Sequence, residues 1–298
     1  MAPHRQHLKV CTALACAALL LSFITASAQA DSTQVDKRKL TTLVAAGTVA
    51  YAGSMIILSN EWYKQYQRES FHFFNDANEW KQMDKVGHFY SAFQISLVAS
   101  RSLQGCNVPK KKSDIIGAIT SFGVMSSIEV LDGFSSGYGA SAPDLVANAL
   151  GSTFYLGQNL LWKEERLYPK YSFHRTNFAP QRPDVLGSGL SEEFLKDYNG
   201  QTYWISADMD KFMKFPKWLN IAVGYGIEEM IYAQVQPNLA LSYDPYRQFY
   251  LSLDFDLTAI PVKSKFLRGL ITVVNMIKLP SPSIEFSKKG TRFYAFYF

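Results

Sequence analysis

A few polar side chains in an otherwise apolar N-terminal half have the types and spacing for chemistry. Asp84 and His88 are four apart in Asp84-Lys85-Val86-Gly87-His88-Phe89, so on a helix they share one face. Glu129 and Asp132 close one apolar run, and Asp144 and Asn148 open the next. The expectation is that these pairs converge. Histidine carries protons near neutral pH, and a neighbouring carboxylate fixes its tautomer and raises its basicity. Asp84 is expected to orient His88 in this way, with His88 as base and Glu129 as the further catalytic carboxylate. Lys85, Asp132, Tyr138, Asp144, Asn148 and Tyr155 form the expected ligand-binding set. One histidine among several carboxylates suits a divalent cation better than a structural zinc, which takes more N or S ligands.

The same residues also have structural roles. Asp144 is the third residue after Ser141, which is capping-box spacing. Glu129 and Asp132 sit where a helix dipole disfavours carboxylates and therefore need partners, for which Lys85 or His88 would serve. The polar stripe Asp144, Asn148, Tyr155 and Asn159 runs down one face past Gly151 and Ser152, so it would line a polar cavity.

Helices must position these groups. Thr41–Ser59 is uncharged and long enough to cross a bilayer at about 1.5 Å per residue. Asp76 to Glu79 has capping-box spacing and predicts a helix to about Arg101. Lys110–Lys112 reads as a basic connecting loop, solvated or attracted to anionic headgroups. Ser113 then caps a helix to Asp132, and after a Gly/Ser loop a fourth runs from Ser141 to about Trp162. Aromatic residues from Trp62 to Trp80 suit either a membrane interface or the lid of a soluble core.

Prolines and glycines between 163 and 200 predict a linker. Beyond it, Phe249–Leu257 alternates as a half-buried strand, 267–274 has helical spacing, and 283–286 with 291–298 predicts a terminal hairpin. Phe298, Phe296 and Tyr294 alternate like the last strand of an outer-membrane barrel, but too few strands precede them for a barrel to be expected. The expected class is α+β: a four-helix N-terminal bundle over 38–162, membrane-embedded or soluble, and a small strand-rich domain over 201–298.

Residues 1–30 have a basic start, an apolar stretch and Ala26-Ser27-Ala28 or Ala28-Gln29-Ala30, the pattern of a secretory signal peptide. Cys16 is poorly placed for lipidation. Downstream of that segment Cys106 is the single cysteine, so no internal disulfide is expected. A formal charge of +5 gives no reason to propose nucleic acid.

DKVGHF, then EVLDGF about forty residues on, then SAPDLVANALG, resembles the YfiM-like predicted periplasmic lipoproteins, a domain-of-unknown-function family. DYNGQTYWIS resembles the extension of its longer members. More distantly, the motifs are similar to VanZ-like membrane proteins, where Asp84, Lys85, His88, Phe89, Glu129, Asp144, Asn148 and Gly151 match in order. Tyr138 is near the place of the VanZ-like arginine, and Asp132 stands for a glutamine. The resemblance implies a location in the periplasm or at the outer membrane, and no settled reaction. The functional expectation is an exported, membrane-associated envelope protein whose cluster binds a polar ligand or lipid headgroup. A metal-assisted hydrolase on lipid-linked or cell-wall material is the first alternative. A structural module with an envelope protein partner is the second.

Overall fold

The computed structural model describes residues 34–63 and 66–298. The signal segment, its cleavage site and Cys16 lie outside the described residues. Among the described residues, four α-helices lie up to residue 161 and a six-stranded antiparallel sheet follows, so the fold is α+β as expected. The chain divides into two units. The helical unit runs to Asn75 and adds Ser91–Leu161 and Val262–Leu270. The sheet unit is Asp76–Tyr90, Trp162–Pro261 and Ile271–Phe298.

The helical unit holds α1 (Lys37–Leu58), most of α2 (Met83–Gly105), α3 (Lys110–Asp132) and α4 (Ala142–Leu161). α1 begins earlier than its apolar run because the Asp36 carboxylate accepts from Lys39 N at 3.0 Å and caps the first turn. α3 also begins early. The expected loop Lys110–Lys112 is its first turn, because Pro109 stops the chain before it and the Lys110 ammonium meets the Asp114 carboxylate one turn on, at 2.9 Å. Burial on these helices is reversed. α3 buries Ser113, Asp114, Ser121 and Glu129, and α4 buries Asp144, Asn148, Ser152, Gln158 and Asn159. Their apolar residues point outward: Ile119 is 66% exposed and Leu150 56%. No residue of α1 is buried.

The Gly/Ser loop after α3 is covered by the aromatic stretch 66–74. His72 N donates to Gly133 O at 2.9 Å, and Ala140 N to His72 O at 3.0 Å. Glycine is required there: a Cβ on Gly133 would stand 2.3 Å from the Phe71 ring, and one on Gly137 2.4 Å from Tyr66. Phe71, Phe73 and Phe134 remain exposed and meet edge to face.

The sheet unit contains β1 (Leu167–Phe173), β2 (Gln201–Ala207), β3 (Leu219–Glu228), β4 (Tyr246–Phe255), β5 (Ser281–Ser287) and β6 (Gly290–Tyr297), in sequential order. Three strands were not anticipated. β1 lies in the expected linker, where Pro169 is tolerated because β1 is an edge strand. Two short helices, α5 (Pro183–Leu186) and α6 (Leu190–Lys196), occupy the rest of that segment. The expected capping box at Asp76–Glu79 is a turn instead. Glu79 N bonds Asp76 O, and Trp80, Lys81 and Gln82 follow at φ of 45°, 48° and 70°. Trp80 buries itself in an apolar cluster with Met83, Leu186, Ile227 and Met230, and α2 starts only at Met83.

The sheet curls. β1 and β4 are three strand spacings apart, roughly 14 Å if flat. Yet Lys170 Nζ lies 2.7 Å from Asp254 Oδ2. Thr202 on β2 likewise meets the Tyr297 hydroxyl on β6 at 3.0 Å. The curled interior is polar. β4 buries Tyr246, Gln248, Tyr250, Ser252 and Asp254, and turns Phe249, Leu251 and Leu253 outward.

Candidate functional site

Most of the residues expected to act together have close partners within their own unit. In the sheet unit, Asp84 bonds Lys85. Its Oδ1 accepts from Lys85 N at 3.0 Å and its Oδ2 from Lys85 Nζ at 2.8 Å. A short acidic side chain at a helix start explains the bond to the Lys85 amide: backbone N–H groups there lack helical partners. The Lys85 ammonium also bridges to Asp76 Oδ2 at 2.5 Å. Burial raises the Asp84 carboxyl above its ordinary value, with Lys85 as the main opposing influence and His88 a lesser one.

In the helical unit, Glu129 and Asp144 have carboxylate oxygens within 4.8 Å of one another. Ser141 lies between their roles. Its hydroxyl accepts from Asp144 N at 3.1 Å, which is half of the anticipated capping box. The other half is filled from a different helix, because Ser141 N donates to Glu129 Oε2 at 3.1 Å. A carboxylate at the end of α3 is thus placed at the start of α4, where the dipole favours it. Asn148 is fully buried one turn along α4 from Asp144.

Asp132 and Tyr138 share the partner Tyr63. Tyr63 donates to Asp132 Oδ1 at 2.6 Å. Tyr138 packs edge to face on Tyr63 and Tyr66, and its carbonyl meets His72 Nε2 at 2.8 Å. Burial first, and Asp132 second, push the Tyr63 phenol up, so it remains a donor.

Tyr155 joins a cluster that the sequence reading missed. Its hydroxyl donates to Asp114 Oδ1 at 2.9 Å, and Ser100 Oγ donates to the same oxygen at 2.6 Å. Lys110 contacts the other oxygen at 2.9 Å and also Asn159. The signal was present in Lys110 and Asp114 at i,i+4 spacing, next to the Asn159 already noted. The sheet interior contributes polar groups that were equally unforeseen. Lys170 reaches Asp254 and Asn275, Ser206 donates to Asp254 at 2.6 Å, and Lys278 Nζ lies 4.4 Å from the centre of the Trp204 ring.

Residues 72–159 match the model of a family described as predicted periplasmic lipoprotein (DUF2279), whose function is unknown. The matched segment carries the three motifs and every candidate site residue from Asp84 to Tyr155. The match agrees with an exported, periplasmic and membrane-associated protein. No curated protein and no solved structure matches the chain.

Proposed function

We propose that the helical unit is embedded in an envelope membrane, with α1 and α3 crossing it, and that its polar seam receives a polar ligand such as a lipid headgroup. The observation that carries the reading is the reversed burial of α3 and α4. In water, a helix turns its apolar stripe to the core; here carboxylates, amides and hydroxyls face inward and Ile119, Phe122, Val146 and Leu150 face outward. α1 and α3 are long and apolar enough to span a bilayer. Ionisable groups in such helices face the interior and tend to serve a function. Glu129, Asp144 and Asn148 are the residues we assign to the seam. The exposed phenylalanines of 71–74 and Phe134 suit the interfacial belt. The likeness of the three motifs to YfiM-like and VanZ-like proteins supports the same reading.

Alkaline carbonate extraction tests the embedding: the protein should stay in the membrane pellet, and its release would overturn the proposal. The seam is tested by the thermal stability of Asp144→Asn and Asn148→Leu in detergent. A ligand seam predicts unchanged or raised stability, since functional clusters trade stability for activity. A loss of about 1–3 kcal/mol would make it a structural hydrogen-bond network instead.

A further inference from the structure

The outer face of the sheet carries a groove in which the helical seam has no part. It encloses about 470 Å³ and is walled by Val86 and Phe89 from the first turns of α2 and by Ile205, Val223, Phe249 and Leu251 from the strands. That volume is in the range of small-ligand sites. Strand register builds the wall: Ile205 lies opposite Val223, and Val223 opposite Leu251. Gly87 lets α2 approach, since a Cβ there would stand 2.8 Å from the Tyr203 hydroxyl.

Basic residues stand beside the groove at Tyr225, just outside its lining. Tyr225, which lines the groove, accepts from Arg247 Nε at 3.1 Å and donates to the Lys81 carbonyl. Arg247 also reaches Gln82 Oε1 at 2.6 Å, and it is exposed on the same face as Phe249, two residues on. The Lys81 ammonium is held below its ordinary value by burial first and then by the charges of Arg247 and Lys288, with Asp244 opposing. Lys81 and Gln82 belong to the left-handed turn at Trp80–Gln82, backbone strain of the kind that collects at ligand clamps.

We propose that the groove holds one acyl chain of an anionic phospholipid from the envelope membrane, with the headgroup phosphate against Arg247 and Lys81. An apolar trough with a guanidinium beside it is complementary to that amphiphile, whereas a zwitterionic lipid, which has the same phosphate, brings its own cation against Arg247 and Lys81. The assignment uses the envelope location but not the spanning of α1 and α3.

The full chain in zwitterionic detergent is titrated with phosphatidylglycerol, with phosphatidylcholine of the same chains and with palmitate, and native mass spectrometry counts what is retained. One phosphatidylglycerol should bind about fivefold or more tightly than phosphatidylcholine. Arg247→Gln should remove that preference, and Val223→Trp, which fills the groove, should abolish retention. Leu253→Trp, on the same face outside the groove, should leave it intact, all with unchanged strand content by circular dichroism. Equal binding of the two phospholipids, retention in Val223→Trp, or loss in Leu253→Trp would overturn the proposal. Tighter binding of palmitate would overturn the phospholipid source and assign the groove to a free fatty acid.

Discussion

The helical unit and the sheet unit both bury polar groups, but they stabilise them differently. In the sheet unit the polar interior coexists with ordinary apolar packing. Trp80, Met83, Leu186, Ile227 and Met230 form one cluster, and Trp204, Ala222, Tyr250 and Tyr297 another. In the helical unit, α3 and α4 bury small and polar residues and send their long aliphatic chains outward. The sheet unit can therefore draw on the hydrophobic effect within itself. Under the proposed embedding, the helices gain from the same side chains in an apolar surrounding. The reversal of polarity itself belongs to both units, since β4 shows it as plainly as α4 does.

The sharpest way to break this comparison is to charge the outward faces. Ile119→Glu or Leu150→Glu should cost about 2.5–3.5 kcal/mol if those faces meet hydrocarbon, read as loss of protein from the membrane pellet. Changes within about 0.5 kcal/mol would mean a solvated face and dissolve the distinction between the units.

The buried ion pair of the sheet interior gives a comparable effect. Lys170 and Asp254 are both shut off from solvent. Lys170→Met should destabilise by about 3–5 kcal/mol in chemical denaturation, because Asp254 is left charged and unpaired, whereas Lys170→Met with Asp254→Leu should recover most of the loss. A double variant no better than the single would show that Ser206 and Asn275, rather than the pair itself, hold this interior.

A smaller effect is expected at Glu129, which caps α4 through Ser141 N. Glu129→Gln retains an acceptor and should cost well under the roughly 1 kcal/mol expected of Glu129→Ala, measured as melting temperature in detergent. Equal losses would point to the charge rather than the cap.

Effects of pH run in opposite directions within the sheet unit. Burial, a hydrogen bond with Asp210 and the charges of Asp210 and Asp256 push Asp208 up to about 7 from 3.8. Between those values the folded chain holds the extra proton, so this carboxyl's contribution to stability falls as pH rises. Asp208→Asn should flatten that decline. Burial pushes Lys278 down to about 8 from 10.5, against the pull of Asp254. Between those values the unfolded chain holds the extra proton, so stability from this group rises with pH, and Lys278→Met should remove the rise. Denaturation midpoints across both windows check the two signs.

Much of the helical half is legible in the residues alone. Long apolar runs, the cap at Ser141 and the polar stripe of α4 are local features with a period of 3.6, and they correspond to α1, α3 and α4. The exported location also comes from local signals, and the match over residues 72–159 agrees with it. The strands are harder to read because in β2 and β3 the inward positions mix Trp204 and Ala222 with Thr202, Ser206, Asn220 and Gly224, residues a strand usually turns to water. Alternation survives there with its sense inverted. β1 is concealed by Pro169 and by Lys170, whose ammonium makes sense only beside Asp254, 84 residues away along the chain.

The residues alone specify the helical periodicity, the apolar spans, the class α+β and the polar stripe of α4. Tertiary structure decided the partners: Asp84 with Lys85, Glu129 with Ser141, Asp132 with Tyr63 and Tyr155 with Asp114. It also buried Asp114, Lys170 and Asp254, curled six strands about a largely polar interior and left an apolar groove on their outer face. The physical reason is range. Propensity and capping act over three or four residues. A buried carboxylate, by contrast, takes whichever donor the packing of distant elements brings within about 3 Å, and spacing along the chain does not encode that choice.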